Sequence, residues 1–316
     1  MEKIVIYQVF TRLFGNNKTS CVHNGSIEEN GVGKMADFTL KALEQIKSLG
    51  ATHIWYTGLI EHATQTDYAS FGIAKDHPAV VKGKAGSPYA IKDYYDIDPD
   101  LATSVPNRMK EFENLVQRTH RAGLKFVIDF VPNHVARQYN SDSAPEGVKN
   151  LGEDDNKDCA FSNQNNFYYI PGTQLNAQFD LKDYIEFPAR ATGNDNFSAY
   201  PGINDWYETV KLNYGVDYAG GRVNHFDPIP DTWNKMLHIL LFWAGKKVDA
   251  FRCDMAEMVP VDFWHWAIPQ VKEQYPHVIF IAEVYNPAEY RNYLHYGHFD
   301  YLYDKVGLYD TLKAVT

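Results

Sequence analysis

The chain has 316 residues, of which 45% are hydrophobic and 15% aromatic, and its formal net charge is −10. That length suggests one large domain with an insertion, or two domains, with enough apolar residues for a buried core. Strong binding to nucleic acid or to an anionic membrane needs concentrated Lys and Arg, so the acidic composition without a basic cluster argues against both.

Strand-like and helix-like segments alternate about six times along the chain. The strands are predicted at "KIVIYQVF" (3–10), "HIWYTGLI" (53–60), "KFVIDFVPNH" (125–134), "KVDAFRCD" (247–254), "HVIFIAEV" (277–284) and "HFDYLYDK" (298–305). The first predicted helix begins at Asp37 as N-cap and ends at Gly50 as C-cap, and the second ends at Gly123. Apolar strands joined by helices predict a parallel sheet, and both a (β/α)8 barrel and a doubly wound sheet fit this pattern.

Residues 135–225 interrupt the alternation with a long stretch rich in Asn, Asp, Gly and aromatic residues. Such a length of irregular chain is usually functional or a small inserted domain. Because it follows the third strand, we expect it to lie over the carboxyl ends of the strands. The predicted organisation is therefore a barrel formed by residues 1–134 and 226–316, with residues 135–225 as an insert.

Polar residues gather at the carboxyl ends of the third, fourth and fifth predicted strands. Each of these residues alone is more often a cap, a turn residue or a structural partner than a catalytic group. Parallel neighbouring strands, however, bring them all to one end of the sheet, and residues two apart on a strand share a face. The set consists of Asp129, Asn133 and His134, then Arg252 and Asp254, then Glu283.

Two carboxylates and an arginine, without a Cys-His cluster or a phosphate-binding loop, suit the hydrolysis of a glycosidic bond. One carboxylate would attack the sugar and the other would act as acid and then as base. An arginine beside the nucleophile would keep it ionised. Carboxylates at the ends of adjacent strands can approach to about 5–5.5 Å, the separation expected of enzymes that retain configuration.

Six stretches in order resemble motifs of the α-amylase superfamily, glycoside hydrolase family 13. They are "YQVFTRLFGN" (7–16), "SPYAIKDYYDIDPDLAT" (87–103), "DFVPNH" (129–134), "DWYETVKLNYGVDY" (205–218), "DAFRCDMAE" (249–257) and "FIAEVYN" (280–286). The resemblance implies a TIM barrel with an inserted domain B after the third strand, and an α-linked oligosaccharide or polysaccharide as substrate.

The resemblance also implies a role for each matching residue. Asp254 matches the nucleophile, Glu283 the general acid/base and Arg252 the arginine that fixes the nucleophile. The substrate-binding matches are His134, Tyr89, which would form an aromatic platform under the sugar, and the buried Asp129. Asn133 matches a frequent calcium ligand, so at most one structural Ca2+ near it is expected, and no organic cofactor.

Two departures from the family pattern limit these expectations. The nucleophile motif usually continues into Lys-His, where this chain has Glu257 and Met258, which puts the calcium site and the acceptor subsite in doubt. The fourth family motif, an Asn-His-Asp after the seventh strand, has no match after Glu283, because His298-Phe299-Asp300 comes too early. We therefore expect a chain truncated before the last two βα units of the barrel.

Three functions stay open on the sequence alone. Hydrolysis and transglycosylation use the same residues and differ in whether water or a sugar reaches the intermediate. A non-catalytic carbohydrate-binding relative is the third, although such proteins usually lack the nucleophile or the acid. No apolar run spans a bilayer and no signal peptide precedes the first strand, so the expectation is either an intracellular protein or an exported one whose signal was removed.

Overall fold

Six parallel strands form one curled sheet in the computed structural model, which describes residues 3–315. The strands follow one another across the sheet in chain order, and each pairs with the next in parallel. They are β1 (Ile6–Phe10), β2 (His53–Thr57), β3 (Lys125–Phe130), β4 (Ala250–Cys253), β5 (Ile279–Glu283) and β6 (Tyr301–Tyr303).

This strand order decides between the two sheet types that the sequence left open. In a doubly wound sheet the order reverses at a switch point, and helices cover both faces. Here the order never reverses, so every connection winds in the same sense, as in a barrel. Among residues 3–315, β1 and β6 do not pair with each other, so the six strands form part of a barrel wall.

Five helices of nine or more residues alternate with the strands. They are α1 (Leu40–Ser48), α2 (Arg108–Arg121), α3 (Asp231–Gly245), α4 (Val261–Gln274) and α5 (Gly307–Val315). The predicted N-cap Asp37 is wrong for α1, because the side chain of Thr39 accepts from the amide of Ala42 and Asp37 belongs to a preceding 3-10 turn. After α1 and α2 the chain turns at Gly50 (φ 91°) and Gly123 (φ 73°), which adopt the left-handed backbone that favours glycine.

Alternate side chains of the strands divide between two faces. The outward side chains, such as Phe126 and Phe251, join the main core with the helices. Cys253 belongs to that core and is fully buried. The inward side chains Val127 and Ala250 belong to a smaller cluster inside the curl. Residues two apart share a face, so this alternation places Arg252 and then Asp254 on the inner face with Ala250.

The 135–225 stretch consists mostly of loops joined by short antiparallel pairs. Three pairs involve it: His134–Ala136 with Thr209–Lys211, Tyr169–Ile170 with Ala189–Arg190, and Val216–Asp217 with Val223–Asn224. A further pair, Ile60–His62 with Ile91–Ile97, precedes it. Phe167, Val210 and Leu212 enter the same hydrophobic core as the barrel helices, which fixes the stretch to the barrel. Its description as a separate domain B stays a prediction.

None of the helices in residues 3–315 combines the length and the apolar character that crossing a lipid bilayer requires.

Candidate active site

The guanidinium of Arg252 is the centre of a charged cluster on the inner face of the sheet. Arg252 stands in register with Asp129 on β3 and with Ile281 on β5. Its Nη1 lies 2.6 Å from Oδ1 of Asp254 and 3.2 Å from Oδ1 of Asp129. Its Nη2 lies 2.7 Å from Oε2 of Glu283. The sequence-predicted catalytic residues therefore meet around one buried side chain.

Asp254 and Glu283 reach this guanidinium from the ends of adjacent strands. Both side chains are buried, and each binds a different nitrogen of Arg252. Both residues also line the same cleft.

Glu283 has further donors besides Arg252. The amide of Met255 donates to its Oε2 at 2.9 Å, and Met255 adopts a left-handed backbone (φ 45°) in the turn after β4. On the other oxygen, Oε1, the ammonium of Lys305 lies at 3.1 Å and the hydroxyl of Tyr285 donates at 3.2 Å. Both oxygens of this carboxylate are therefore hydrogen-bonded.

The cluster holds three carboxylates around one guanidinium, so their pKa values separate. Burial, together with Glu283 and Asp129, raises the pKa of Asp254 to about 7 against the opposing attraction of Arg252. Burial also raises the pKa of Asp129 to about 6. Burial acts on Glu283 in the same direction, but Arg252, the Met255 amide and Lys305 outweigh it and lower its pKa to about 2. Without a ligand, the structure therefore favours an ionised Glu283 and a proton near Asp254.

Aromatic rings surround the guanidinium and form the walls of the cleft. The Arg252 guanidinium carbon lies 4.8 Å from the ring centre of Trp55, 5.7 Å from that of Tyr303 and 5.8 Å from that of Tyr89. The cleft has a volume of about 650 Å³. Its lining includes Gln8, Trp55, Lys82, Tyr89, His134, Trp206, Thr209, Arg252, Asp254, Glu283, Tyr285, Tyr303 and Lys305.

His134 contributes a neutral imidazole to this cleft. Burial lowers its pKa to about 3, and the nearby ammonium of Lys211 acts in the same direction. The side-chain amide of Asn133 donates to Nδ1 of His134 at 3.1 Å, so the neutral ring carries its proton on Nε2. The ring packs at 5.2 Å from that of Trp206, which comes from the 135–225 stretch. The stretch thus reaches the cleft, as its position after β3 predicted.

The sequence profile of the alpha amylase catalytic domain matches residues 8–300, nearly the whole chain. The chain belongs to the α-amylase family. The curled parallel sheet is accordingly part of the (β/α)8 barrel of that family.

Individual relatives share the fold at low identity. Maltase A1 of Drosophila melanogaster is 23% identical over 248 residues, which cover 78% of this chain and 33% of that protein. The crystal structure of an α-amylase from Lactobacillus plantarum matches this chain with a TM-score of 0.57 at 25% identity. The match covers 98% of this chain and 54% of the Lactobacillus chain. An α-amylase from Geobacillus thermoleovorans, complexed with acarbose, matches with a TM-score of 0.60 at 22% identity. This match covers 99% of this chain and 54% of the Geobacillus chain. The chain thus spans between a third and about half of these relatives.

The expected calcium ligand of the α-amylase family, Asn133, contacts an ammonium group instead. Its Oδ1 lies 2.8 Å from Nζ of Lys211, and its Nδ2 donates to the carbonyl of Gly193 at 2.8 Å. Lys211 is buried and also pairs with Asp195 at 2.5 Å. A dication beside this ammonium would be repelled, so the donors around Asn133 do not fit a metal ion.

Glu257, one of the two departures from the family pattern, has a structural partner. Its Oε2 accepts from the amides of Tyr285 and Asn286 at 2.9 and 3.0 Å, which ties the turn after β4 to the loop after β5. The other near-match, Asp300, accepts from the amide of Phe280 at 2.8 Å, at the beginning of the strands. Asp300 therefore lies at the opposite end of the sheet from the cleft.

Sequence reasoning missed several residues of the cleft. Tyr303 and Lys305 lie two apart at the end of β6, and the rule that placed Arg252 and Asp254 applies equally to them. Trp55 could be found in the same way, as an inward-facing residue of β2. Lys211 carries no such signal, because it meets Asn133 through an antiparallel pairing of distant segments.

Proposed function

We propose that this protein is a retaining glycosidase that acts on α-linked glucans or α-glucosides. The observation that carries the proposal is the sharing of one guanidinium by Asp254 and Glu283 at the base of an aromatic cleft. The resemblance to Maltase A1, whose name denotes action on maltose, supports the α-glucoside class. Membership of the α-amylase family supports the same chemistry.

In the first step, the carboxylate of Asp254 attacks the anomeric carbon of the sugar. Glu283 donates its proton to the glycosidic oxygen, and the bond between that oxygen and the anomeric carbon breaks. The leaving group departs as an alcohol, and the sugar stays bound to Asp254 as an ester. Arg252 stabilises the carboxylate of Asp254 before the attack.

In the second step, the ionised Glu283 removes a proton from a water molecule. The water oxygen attacks the anomeric carbon, and the ester bond to Asp254 breaks. The product has the configuration of the substrate because two inversions have occurred. Glu283 ends protonated and Asp254 ends ionised, so both return to their starting states.

The sugar in the cleaved position would stack on Tyr89 and bind to His134. Aromatic rings offer flat apolar faces that match the faces of a pyranose ring. A neutral imidazole with its proton on Nε2 is a hydrogen-bond donor to a sugar hydroxyl. Trp206 adds a second aromatic surface from the side opposite to the barrel strands.

The reaction requires an ionisation opposite to that of the unliganded site. Glu283 must hold a proton when the substrate binds, whereas Arg252 and Lys305 keep it ionised. Asp254 must lose the proton that burial favours. We infer that the bound sugar separates Glu283 from at least one of its two cations, and that a proton then moves to Glu283.

Trapping of the covalent intermediate tests this function. A fluorinated α-glucosyl fluoride slows the second step more than the first, so the ester should accumulate. We expect mass spectrometry of the digested protein to find one added fluoroglucosyl group on the peptide that contains Asp254. Asp254→Asn should give no label, and it should lower kcat by at least ~10⁴-fold.

The surface variant Asp154→Asn should label like the wild type, since Asp154 is exposed and pairs only with Lys149. Labelling of another carboxylate, or turnover by Asp254→Asn at the wild-type rate, would reject the assignment. Product analysis on maltooligosaccharides then separates hydrolysis, which gives only shorter products, from transglycosylation, which also gives longer ones.

A further inference from the structure

Four carboxylates meet outside the cleft, where a short strand pair contacts the 135–225 stretch. Glu61 lies on strand Ile60–His62 and is in register with Asp93 of strand Ile91–Ile97. Asp96 lies on the same strand as Asp93, and Asp142 comes from the 135–225 stretch. One carboxylate oxygen from each of the four lies within 4.8 Å of the others. Such a concentration of negative charge needs a compensating partner.

Glu61 forms no ion pair or hydrogen bond through its buried oxygen among the described residues. Its side chain is 2% exposed, and its buried Oε2 has no hydrogen-bond donor in residues 3–315. The neighbouring cation Lys92 is engaged elsewhere, since its ammonium contacts the carbonyl of Ala74 and pairs with Asp76 at 3.0 Å. A buried carboxylate oxygen directed into an acidic cluster is therefore left for a ligand that is not a protein side chain.

The carboxylate of Asp93 is held in position by four donors. Asp93 accepts from the amides of Tyr95, Asp142 and Ser143 and from the hydroxyl of Ser141, at 2.6 to 3.0 Å. These bonds fix Asp142 and the chain around it against the strand that carries Asp93. The cluster is thus built in advance rather than formed by mobile surface side chains.

Asp96 forms an ion pair with a cationic side chain. Its Oδ2 is bonded to the guanidinium of Arg108, and its Oδ1 accepts from the amide of Ile97 at 2.7 Å. One guanidinium cannot balance four carboxylates, so the ionised cluster keeps an excess of negative charge. A small multivalent cation would balance that excess at a single point.

We propose that Glu61, Asp93, Asp96 and Asp142 bind one Ca2+ ion. Calcium takes six to eight oxygen ligands in a flexible geometry, and carboxylates are its preferred side-chain ligands. Asp142 is exposed, so the site is open to solvent on one side, and water molecules complete the coordination. Mg2+ fits less well because it demands near-ideal octahedral geometry and loses its water reluctantly.

The ion would join the strand that carries Asp93 and Asp96 to the chain around Asp142. This site is separate from Asn133, where Lys211 takes the place of a metal. It is also independent of the proposed glycosidase activity, because none of its four residues lines the cleft.

Proton sharing is the competing explanation for the same cluster. Burial, together with Asp93 and Asp96, raises the pKa of Glu61 to about 9. A protonated Glu61 could donate a hydrogen bond to a neighbouring carboxylate without any cation. The experiment has to separate a cluster that binds calcium from one that holds a proton.

Calorimetric titration of the chelator-treated protein with CaCl2 tests the proposal, with thermal unfolding as a second measurement. We expect one ion per chain and a rise in Tm on adding calcium. Glu61→Gln and Asp142→Asn should each weaken binding by roughly 100-fold or more and remove the rise in Tm. Glu146→Gln is the matched control, since Glu146 is an exposed carboxylate of the same stretch, and it should bind like the wild type.

The stability of Glu61→Gln without calcium shows whether a loss of calcium binding is due to unfolding of the variant. Glutamine can donate to Asp93 and carries no charge, so the chelated variant should be at least as stable as the chelated wild type. The proposal is rejected if the wild type shows neither a heat of calcium binding in the titration nor a calcium-dependent Tm. Proton sharing predicts this result. It is also rejected if Glu61→Gln and Asp142→Asn both bind calcium like the wild type.

Discussion

The ammonium of Lys305 lies 3.1 Å from Oε1 of Glu283, so a cation from the end of β6 contacts the carboxylate at the end of β5. Lys305 also donates to the hydroxyl of Tyr285 at 2.5 Å, which holds its side chain in place. This contact opposes the protonation of Glu283 that the first catalytic step needs. Under the proposed function, Lys305 is therefore a positioning residue for the acid/base group.

Replacing this cation should shift the pH dependence of catalysis. In Lys305→Met the pKa of Glu283 rises, so the alkaline limb of kcat, which reports the protonated acid in the substrate complex, should move upward by about one pH unit. Lys149→Met, which removes an exposed lysine, is the control and should leave the limb in place. An unchanged limb in Lys305→Met would show that this lysine does not act on the acid.

Loss of the acid should depend on the leaving group. In Glu283→Gln no proton is available for the glycosidic oxygen, so maltose-like substrates should lose most of their turnover. In an activated substrate such as an α-glucosyl fluoride, the fluoride leaves without protonation. The rate of the first step should therefore fall far less with this substrate. Steady-state rates on both substrates measure the difference. Equal losses on the two would argue against Glu283 as the acid.

The raised pKa values of the cluster predict a pH-dependent stability. Asp254 (about 7) and Asp129 (about 6) titrate above the ordinary aspartate value of about 3.9, so the folded protein binds protons that the unfolded chain releases. Their contribution to the free energy of unfolding is fully present below about pH 4 and is lost as the pH rises through 6 to 7. Glu283 has the opposite sign, but its contribution is lost only as the pH falls toward about 2.

Asp254→Asn isolates this effect in urea unfolding at about pH 5 and about pH 8. The variant should gain on the order of 1–2 kcal/mol relative to the wild type between the two pH values, because it no longer ionises a buried carboxyl. Carboxyls outside the Arg252 cluster contribute equally to both proteins and cancel in the comparison. A constant difference across this pH range would contradict the raised pKa of Asp254.

Removing the buried ammonium beside Asn133 should destabilise the fold. Lys211→Met leaves Asn133 and Asp195 without their shared donor, at a cost on the order of 3 kcal/mol in the free energy of unfolding. Urea unfolding measures this loss, with the exposed Lys149→Met as control, for which we expect less than ~0.5 kcal/mol. A similar stability of the two variants would mean that the ammonium is not needed there.

Much of the fold and the centre of the site follow from short-range patterns. The six strands and their parallel arrangement were predictable because apolar runs and helical segments alternate. Arg252, Asp254 and Glu283 were predictable because a period of two and a common sheet end fix where strand-terminal side chains point. The choice of a barrel over a doubly wound sheet came from the family resemblance and not from these patterns, since strand order depends on the winding of the connections.

Other features depend on contacts between distant segments. Lys211 meets Asn133 across 78 positions, and Asp142 meets Asp93 across 49. No periodicity relates such pairs, so the ammonium at the expected calcium position and the carboxylate cluster became visible only in three dimensions. The same holds for the contact of Lys305 with Glu283, which adds to the effect of Arg252 and the Met255 amide on the ionisation of Glu283.

The pairing of Asp129 with Arg252 has a consequence for synthesis of the chain. The two residues are 123 positions apart, although their strands are neighbours. A ribosome that has completed β1 to β3 has still to make the whole 135–225 stretch and α3 before the guanidinium emerges. Contacts of this sequence separation form slowly. Asp129 therefore leaves the ribosome well before its cationic partner, and the charged centre can assemble only after β4 has been made.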